Sequence, residues 1–192
     1  TADVVLVSSS GAIVTGPDGW TYVDSEVTAV VPSSGQVGTL VTITGVNMLG
    51  GGSSLSSMTI AGVAPDSIIS SNDSVIVVRL ANTSAGTGDI VITGSAGSVL
   101  TAVDAFTSET AGVVTSVTPS SGRLGTVVTI NGTSLRGGGE SVVEAYLGGV
   151  AAVIGSQTDT SVVVVAGNGT SGGATADVVL VSSSGAIVTG PD

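Results

Sequence analysis

"VPSSGQVGTLVTITG", residues Val31–Gly45, returns as "TPSSGRLGTVVTING", residues Thr118–Gly132, a shift of 87 positions. In both copies a Pro-Ser-Ser-Gly turn leads through Gly-Thr into a run that alternates apolar and polar from Val41 and from Val128. Pro, Ser and Gly make turns, and period-two alternation makes a strand with one buried face. Turn and strand, repeated at the spacing of a small domain, predict two similar β-domains in series.

A second repetition frames the first. "TADVVLVSSSGAIVTGPD" fills both residues 1–18 and residues 175–192, a period of 174 residues. "TGDIVITGSAGSVLTAVDAF", Thr87–Phe106, is a diverged copy of Thr1–Trp20, shifted by 86. The unit is thus about 87 residues, in two alternating versions. On this reading residues 1–23 are the C-terminal strands of a preceding repeat and 24–107 form a complete domain. Residues 111–192 form a second domain that lacks its last strand, and the whole is a window on a longer tandem array. The alternative is a strand donated to complete a neighbouring molecule. It fits less well, because a donor should supply Gly19–Val23, whereas most of residues 1–18 would compete with residues 175–192.

Composition fixes the class. Hydrophobic residues make up 42% and charged residues 9% of the 192, against roughly 25% charged in an average domain. Val, Thr, Ser and Gly dominate, and no long helix-forming run occurs. An all-β chain follows. Strands are expected near Val27–Val31, Leu40–Thr44, Met58–Ala61, Ser67–Ser70, Val75–Leu80, Asp89–Thr93 and Ser98–Ala102, with hairpin turns at Gly94–Gly97 and Ser8–Gly11. "NMLGGGSSLSS" from Asn47 and its counterpart "SLRGGGES" from Ser134 read as long flexible loops. Seven short strands with regular turns argue for a sandwich of two antiparallel sheets.

Pro32-Ser33-Ser34-Gly35, Gly38-Thr39 and Val41–Gly45 resemble the opening of an IPT/TIG domain, and Pro119–Gly132 repeats the pattern. Gly19-Trp20-Thr21-Tyr22 is similar to that family's closing aromatic strand, where the other version has Phe106. The resemblance implies tandem immunoglobulin-like antiparallel sandwiches. It also implies an extracellular setting such as a receptor stalk, an adhesin or a repetitive surface protein. No loop carries the aromatic platform that sugar stacking needs, and Trp20 and Tyr22 are expected in a core.

Many functions are excluded by what the chain lacks. Net charge is −11, with no Lys and only Arg79, Arg123 and Arg136 as cations, so neutralising a nucleic-acid backbone is out of reach. No apolar run approaches the ~18 residues of a membrane span. Without Cys or His there are no disulfides, thiolate or imidazole metal sites, or His-based triads. The Gly50 loop has no Lys after it and no helix for a phosphate. The fourteen carboxylates are dispersed, with Asp66 and Asp73 apart from Glu140 and Glu144, and read as solvated surface. A weak calcium site at the unit junction, from Asp18, Asp24 or Glu26, is the alternative. No catalytic, cofactor-binding or metal residues are expected, and no enzyme activity.

Four of the five Asn residues begin N-x-[ST]: Asn72, Asn82, Asn131 and Asn168. Asn72 falls in a turn, Asn82 and Asn168 fall in one loop of successive units, and Asn131 should point outward if Ile130 points inward. All four are expected glycosylation sites. O-linked sugar on the Ser/Thr-rich loops is a further expectation. Near-identical β-units with no Lys lack the charged edge residues that block strand-to-strand aggregation, and a glycan coat would compensate. The expected function is a glycosylated extracellular filament, fibril or stalk of tandem domains, with neighbouring copies of the repeat as partners in one chain or one fibre. The alternatives are an adhesin or binding module whose array displays a tip, and a domain accessory to an enzyme.

Overall fold

The computed structural model describes residues 1–169 and 177–190, and among them finds strands, turns and loops but no helix. The chain opens with a hairpin of β1 (Ala2–Val7) and β2 (Ile13–Trp20). The first domain follows: β3 (Glu26–Val31), the short β4 (Ser34–Gly35), β5 (Leu40–Val46), β6 (Leu55–Ile60), β7 (Ser67–Ser71), β8 (Val75–Arg79), β9 (Gly86–Gly94) and β10 (Val99–Ser108). One sheet has the order β3-β5-β8-β7 and the other β4-β10-β9-β6. The pairings are antiparallel except for β4, which runs parallel to the end of β10.

Alternation decides which side chains go inside. Val41 and Ile43 of β5 and Ile76 and Val78 of β8 face Met58, Ile60, Ile90, Ile92 and Phe106 of the opposite sheet. Burying each such side chain contributes about 1.5–3 kcal/mol, so the nine together supply about 14–27 kcal/mol, a part of what opposes the chain entropy lost on folding. β8, apolar from Val75 to Val78, is flanked by strands on both sides.

The second domain comprises β11 (Val113–Thr118), β12 (Val127–Thr133), β13 (Val142–Leu147), β14 (Val150–Gln157), β15 (Ser161–Val165), β16 (Val178–Ser182) and β17 (Ile187–Gly190). Its strands join in one order, β11-β12-β15-β14-β13-β16-β17, because β14 switches layers. Val150–Ala152 pair with β13, and Val153–Gln157 pair with β15. The core again gathers alternating residues, including Ile130, Val162, Val164, Leu180 and Val188.

Three expectations need correction. The stretch from Asn47 is not a flexible loop: Met48 and Leu49 are buried, and the Leu49 amide donates to Asp73 Oδ1 at 2.8 Å. The two apolar residues anchor the glycines that follow, and Leu135 does the same in the second domain. The last strand of the first domain does not stop at Ala102. It continues to Ser108 through a bulge where Asp104 takes φ +50° and its amide donates to Asp89 Oδ1 at 2.9 Å. Trp20 and Tyr22 are not core residues here but exposed, edge to face with ring centroids 6.0 Å apart. Among the described residues β1 and β2 pair only with each other, so no second layer covers them.

Candidate functional site

The two domains meet through main-chain hydrogen bonds, not through a free linker. The Pro-Ser-Ser-Gly turn of the first domain delivers Gln36–Leu40 to its end, with Gly38 at φ +87° and its amide donating to Leu80 O at 3.0 Å. A side chain at that φ would be strained, and a Cβ on Gly38 would lie 3.0 Å from Gly185 O. The opposing element is the β16–β17 turn. The Leu40 amide donates to Ser184 O at 2.9 Å, and the Ile187 amide donates to Val37 O at 3.1 Å.

Side chains complete the junction. Arg79, at the end of β8, donates through Nη1 to Gly38 O at 3.0 Å and to Gly185 O at 3.4 Å. Buried Gln36 accepts the Gly112 amide on Oε1 at 2.6 Å. The connecting segment is also tied down: the Glu109 amide donates to Gly35 O at 2.8 Å, and Ser34 Oγ donates to Glu109 Oε1 at 2.7 Å. Each such bond contributes about 1 kcal/mol net, and together they restrain rotation between the domains. Neither Gln36 nor Arg79 stood out as a junction residue in the sequence. The signal available was Arg79 itself, a cation closing an otherwise apolar strand.

Asn72, Asn82 and Asn168 are exposed, while Asn131 is half-buried on β12 beside buried Ile130. The Asn72 Oδ1 accepts the amides of Ser74 and Val75, both at 2.8 Å, which leaves Nδ2 facing outward from a tight turn. Asn131 Nδ2 donates to Ser116 Oγ at 3.2 Å. Asn82 and Asn168 follow β8 and β15 at equivalent places. Thr170, the third residue of the Asn168 motif, lies outside the described residues.

The carboxylates do not converge. Among the described residues no three Asp or Glu side chains are grouped as a metal site would need. Asp18 Oδ1 accepts Thr1 Oγ1 at 2.9 Å in the opening hairpin, while Asp24 contributes its main-chain oxygen to Asn47 Nδ2 at 2.8 Å and Glu26 lies opposite Val46. A surface depression of about 330 Å³ beside Ala61, Gly62 and Thr87 holds Asp89, whose Oδ1 is already engaged by the Asp104 amide. Tyr146 donates to Glu144 Oε2 at 2.9 Å; that hydrogen bond, then the carboxylate's charge, raises the phenol above the usual tyrosine value. The perpendicular rings of Trp20 and Tyr22 do not make a flat stacking surface for a sugar.

Two sandwiches in series, each opening on the Pro-Ser-Ser-Gly turn, match the IPT/TIG domain at residues 25–108 and again at 113–191. The chain belongs to the IPT/TIG family. No curated protein matches it. Among solved structures, these IPT/TIG domains are similar to the full extracellular region of plexin A4, with 22% identity and a TM-score of 0.49 over 83% of this chain and 14% of that one. A surface glycan-binding protein from Prevotella bryantii is similar at 16% identity and a TM-score of 0.37, over 88% of this chain and 41% of that one. The SGBP-B of a Bacteroides ovatus mixed-linkage glucan utilization locus, in complex with a heptasaccharide, shows 15% identity and a TM-score of 0.35, over 99% of this chain and 48% of that one. The chain therefore spans from about a seventh to about half of the length of these structures. Among the described residues no helix is long and apolar enough to cross a membrane.

Proposed function

We infer that this chain is a segment of an extracellular structural protein, a filament or stalk of tandem IPT/TIG domains that carries glycans on Asn72, Asn82, Asn131 and Asn168. The observation that carries the reading is the junction. A connection held by paired main-chain bonds and an Arg clamp transmits orientation from one domain to the next, which a stiff array needs and a tethered binding module does not. The 174-residue identity supports it, since a repeated pair of domains repeats its junctions too. Residues 1–23 are then the tail of a preceding repeat, and neighbouring copies are the partners. Sugar on the exposed asparagines would shield β-edges that carry few charges.

Electron cryo-microscopy of material from the native source tests this. Continuous fibres with a two-domain period and branched density on Asn82 and Asn168 are expected. Separate molecules with bare Asn side chains would overturn the filament and turn attention to a binding tip.

A further inference from the structure

The junction uses two surfaces, and each has a second copy in the chain that no other described residue covers. The receiving surface, Gln36–Leu40, is repeated as Arg123–Val127. Its backbone is the same: Gly125 has φ +87° like Gly38, its amide donates to Ala166 O at 2.9 Å, and the Thr126 amide returns to Arg123 O at 2.9 Å. Yet Gly35, Gln36, Gly38 and Thr39 are buried, whereas Gly122, Arg123 and Gly125 are exposed and Thr126 is half-buried. Val127, 58% exposed, stands where Leu40 is 38% exposed.

The inserting surface, Ser182–Ile187, is repeated as Gly94–Val99. The Gly97 amide donates to Gly94 O at 3.0 Å as Gly185 donates to Ser182 O at 2.9 Å, and the two glycines have φ +86° and +84°. Val99, 65% exposed, occupies the place of Ile187, 36% exposed. Surface and insert are thus both preformed, one at each end of the chain's domain pair.

We propose that Arg123–Val127 receives the Gly94–Val99 turn from the first domain of the next copy, in the register seen between Gln36–Leu40 and Ser182–Ile187. The Val127 amide donates to Ala96 O of the next copy, and the Val99 amide of that copy donates to Leu124 O. The order of domains supports this occupant, because residues 1–18, identical to 175–192, run directly into the first domain through Val23-Asp24-Ser25. A head-to-tail contact of this kind does not close on itself and propagates as a line.

The two junctions differ in chemistry. Gln36 faces Gly112, preceded by Ala111; the corresponding residues are Arg123, Ser25 and Asp24. A neutral amide contact is replaced by a cation opposite an acid. Arg79, which clamps the observed junction, corresponds to Val165, so the second junction loses its clamp and gains this charge pair.

The proposal rests on the array reading, and the test separates the two. In a chain where residues 19–192 follow Asp192, the 174-residue period continues, and the absence of native Cys makes disulfide trapping clean. Leu124→Cys in the first copy with Val99→Cys in the second should close at a rate similar to Val37→Cys with Ile187→Cys, the observed junction. Arg123→Glu should slow closure by up to about fivefold, the range of one exposed ion pair, and Asp24→Arg in the second copy should restore it. Failure to close while the control pair closes would overturn the proposal, even if native fibres are seen. Equal closure when exposed Val143→Cys replaces Val99→Cys would mean random collision, and would overturn it too.

Discussion

Leu6 and Leu180 stand at the same place in the same eighteen-residue sequence, yet Leu6 is 64% exposed and Leu180 0%. Both hairpins have the same turn: the Ser8 amide donates to Ala12 O at 2.9 Å, and the Ser182 amide donates to Ala186 O at 2.8 Å. In the second domain β16 also pairs with β13, while among the described residues β1 pairs with β2 alone. Local sequence therefore specifies the hairpin, and its burial comes from strands far away in the chain. Identical substitutions in the two copies isolate what tertiary context contributes.

The largest difference should come from the core position. Leu180→Ala removes a fully buried side chain from the core cluster that includes Val142 and Ile130 and should destabilise the second domain by about 2–5 kcal/mol. Leu6→Ala should change the stability of either domain by less than about 0.5 kcal/mol, as for an exposed site. Denaturant unfolding of the two variants measures both. Equal losses would show that the opening hairpin packs on a domain in solution.

The turn glycines come next, in three copies at φ +85°, +86° and +84°. Ala in this left-handed region costs about 1–2 kcal/mol. Gly97→Ala has open space and should lower the first domain's stability by that strain alone. Gly185→Ala adds a Cβ 3.1 Å from Leu40 Cγ and should loosen the junction as well, seen as a broader distribution of interdomain distances in solution scattering. Gly11→Ala, also in open space, should leave the melting of both domains unchanged.

These contrasts mark what was legible in the sequence. Alternation in Val41–Thr44 and Val128–Asn131 placed strands and inward residues, because a strand's facing is a local property. The Gly-rich stretch from Asn47 was misread because its composition is that of a loop, while Met48 and Leu49 find the core through tertiary packing. Trp20 was assigned to a core for the converse reason: an aromatic at Phe106's place needs opposing strands, and among the described residues the opening hairpin has none. At the candidate site the accessible Asn72, Asn82 and Asn168 could be read from turn and loop placement. Gln36 and Arg79 could not, since their partners lie 76 and 106 residues away, respectively.

A smaller effect is expected at the Arg clamp. Arg79→Met keeps the stem's length and removes the donors to Gly38 O and Gly185 O, costing the junction about 1 kcal/mol. Hydrogen exchange at the Leu40 and Ile187 amides should accelerate several-fold, while core amides such as Ile43 stay protected. Unchanged exchange at Leu40 would mean that the main-chain pairing holds the domains without the clamp.

The smallest difference tests whether the hairpin is formed locally at all. The bulge in β10, where the Asp104 amide donates to Asp89 Oδ1 at 2.9 Å, is duplicated in β2, where the Asp18 amide donates to Asp3 Oδ1 at 2.9 Å. Asp18 and Asp104 have φ +51° and +50°. A two-stranded hairpin is marginally stable in water, so the Asp18 amide should exchange only a few-fold more slowly than in an unfolded peptide. Asp3→Ala should erase that protection without moving either domain's melting. Asp89→Ala should cost the first domain about 1 kcal/mol, because there the same bond is one link in a cooperative sandwich. If the Asp18 amide already exchanges at the unfolded rate, the hairpin needs a covering layer to form, and the shared turn geometry reflects packing and not the eighteen-residue sequence.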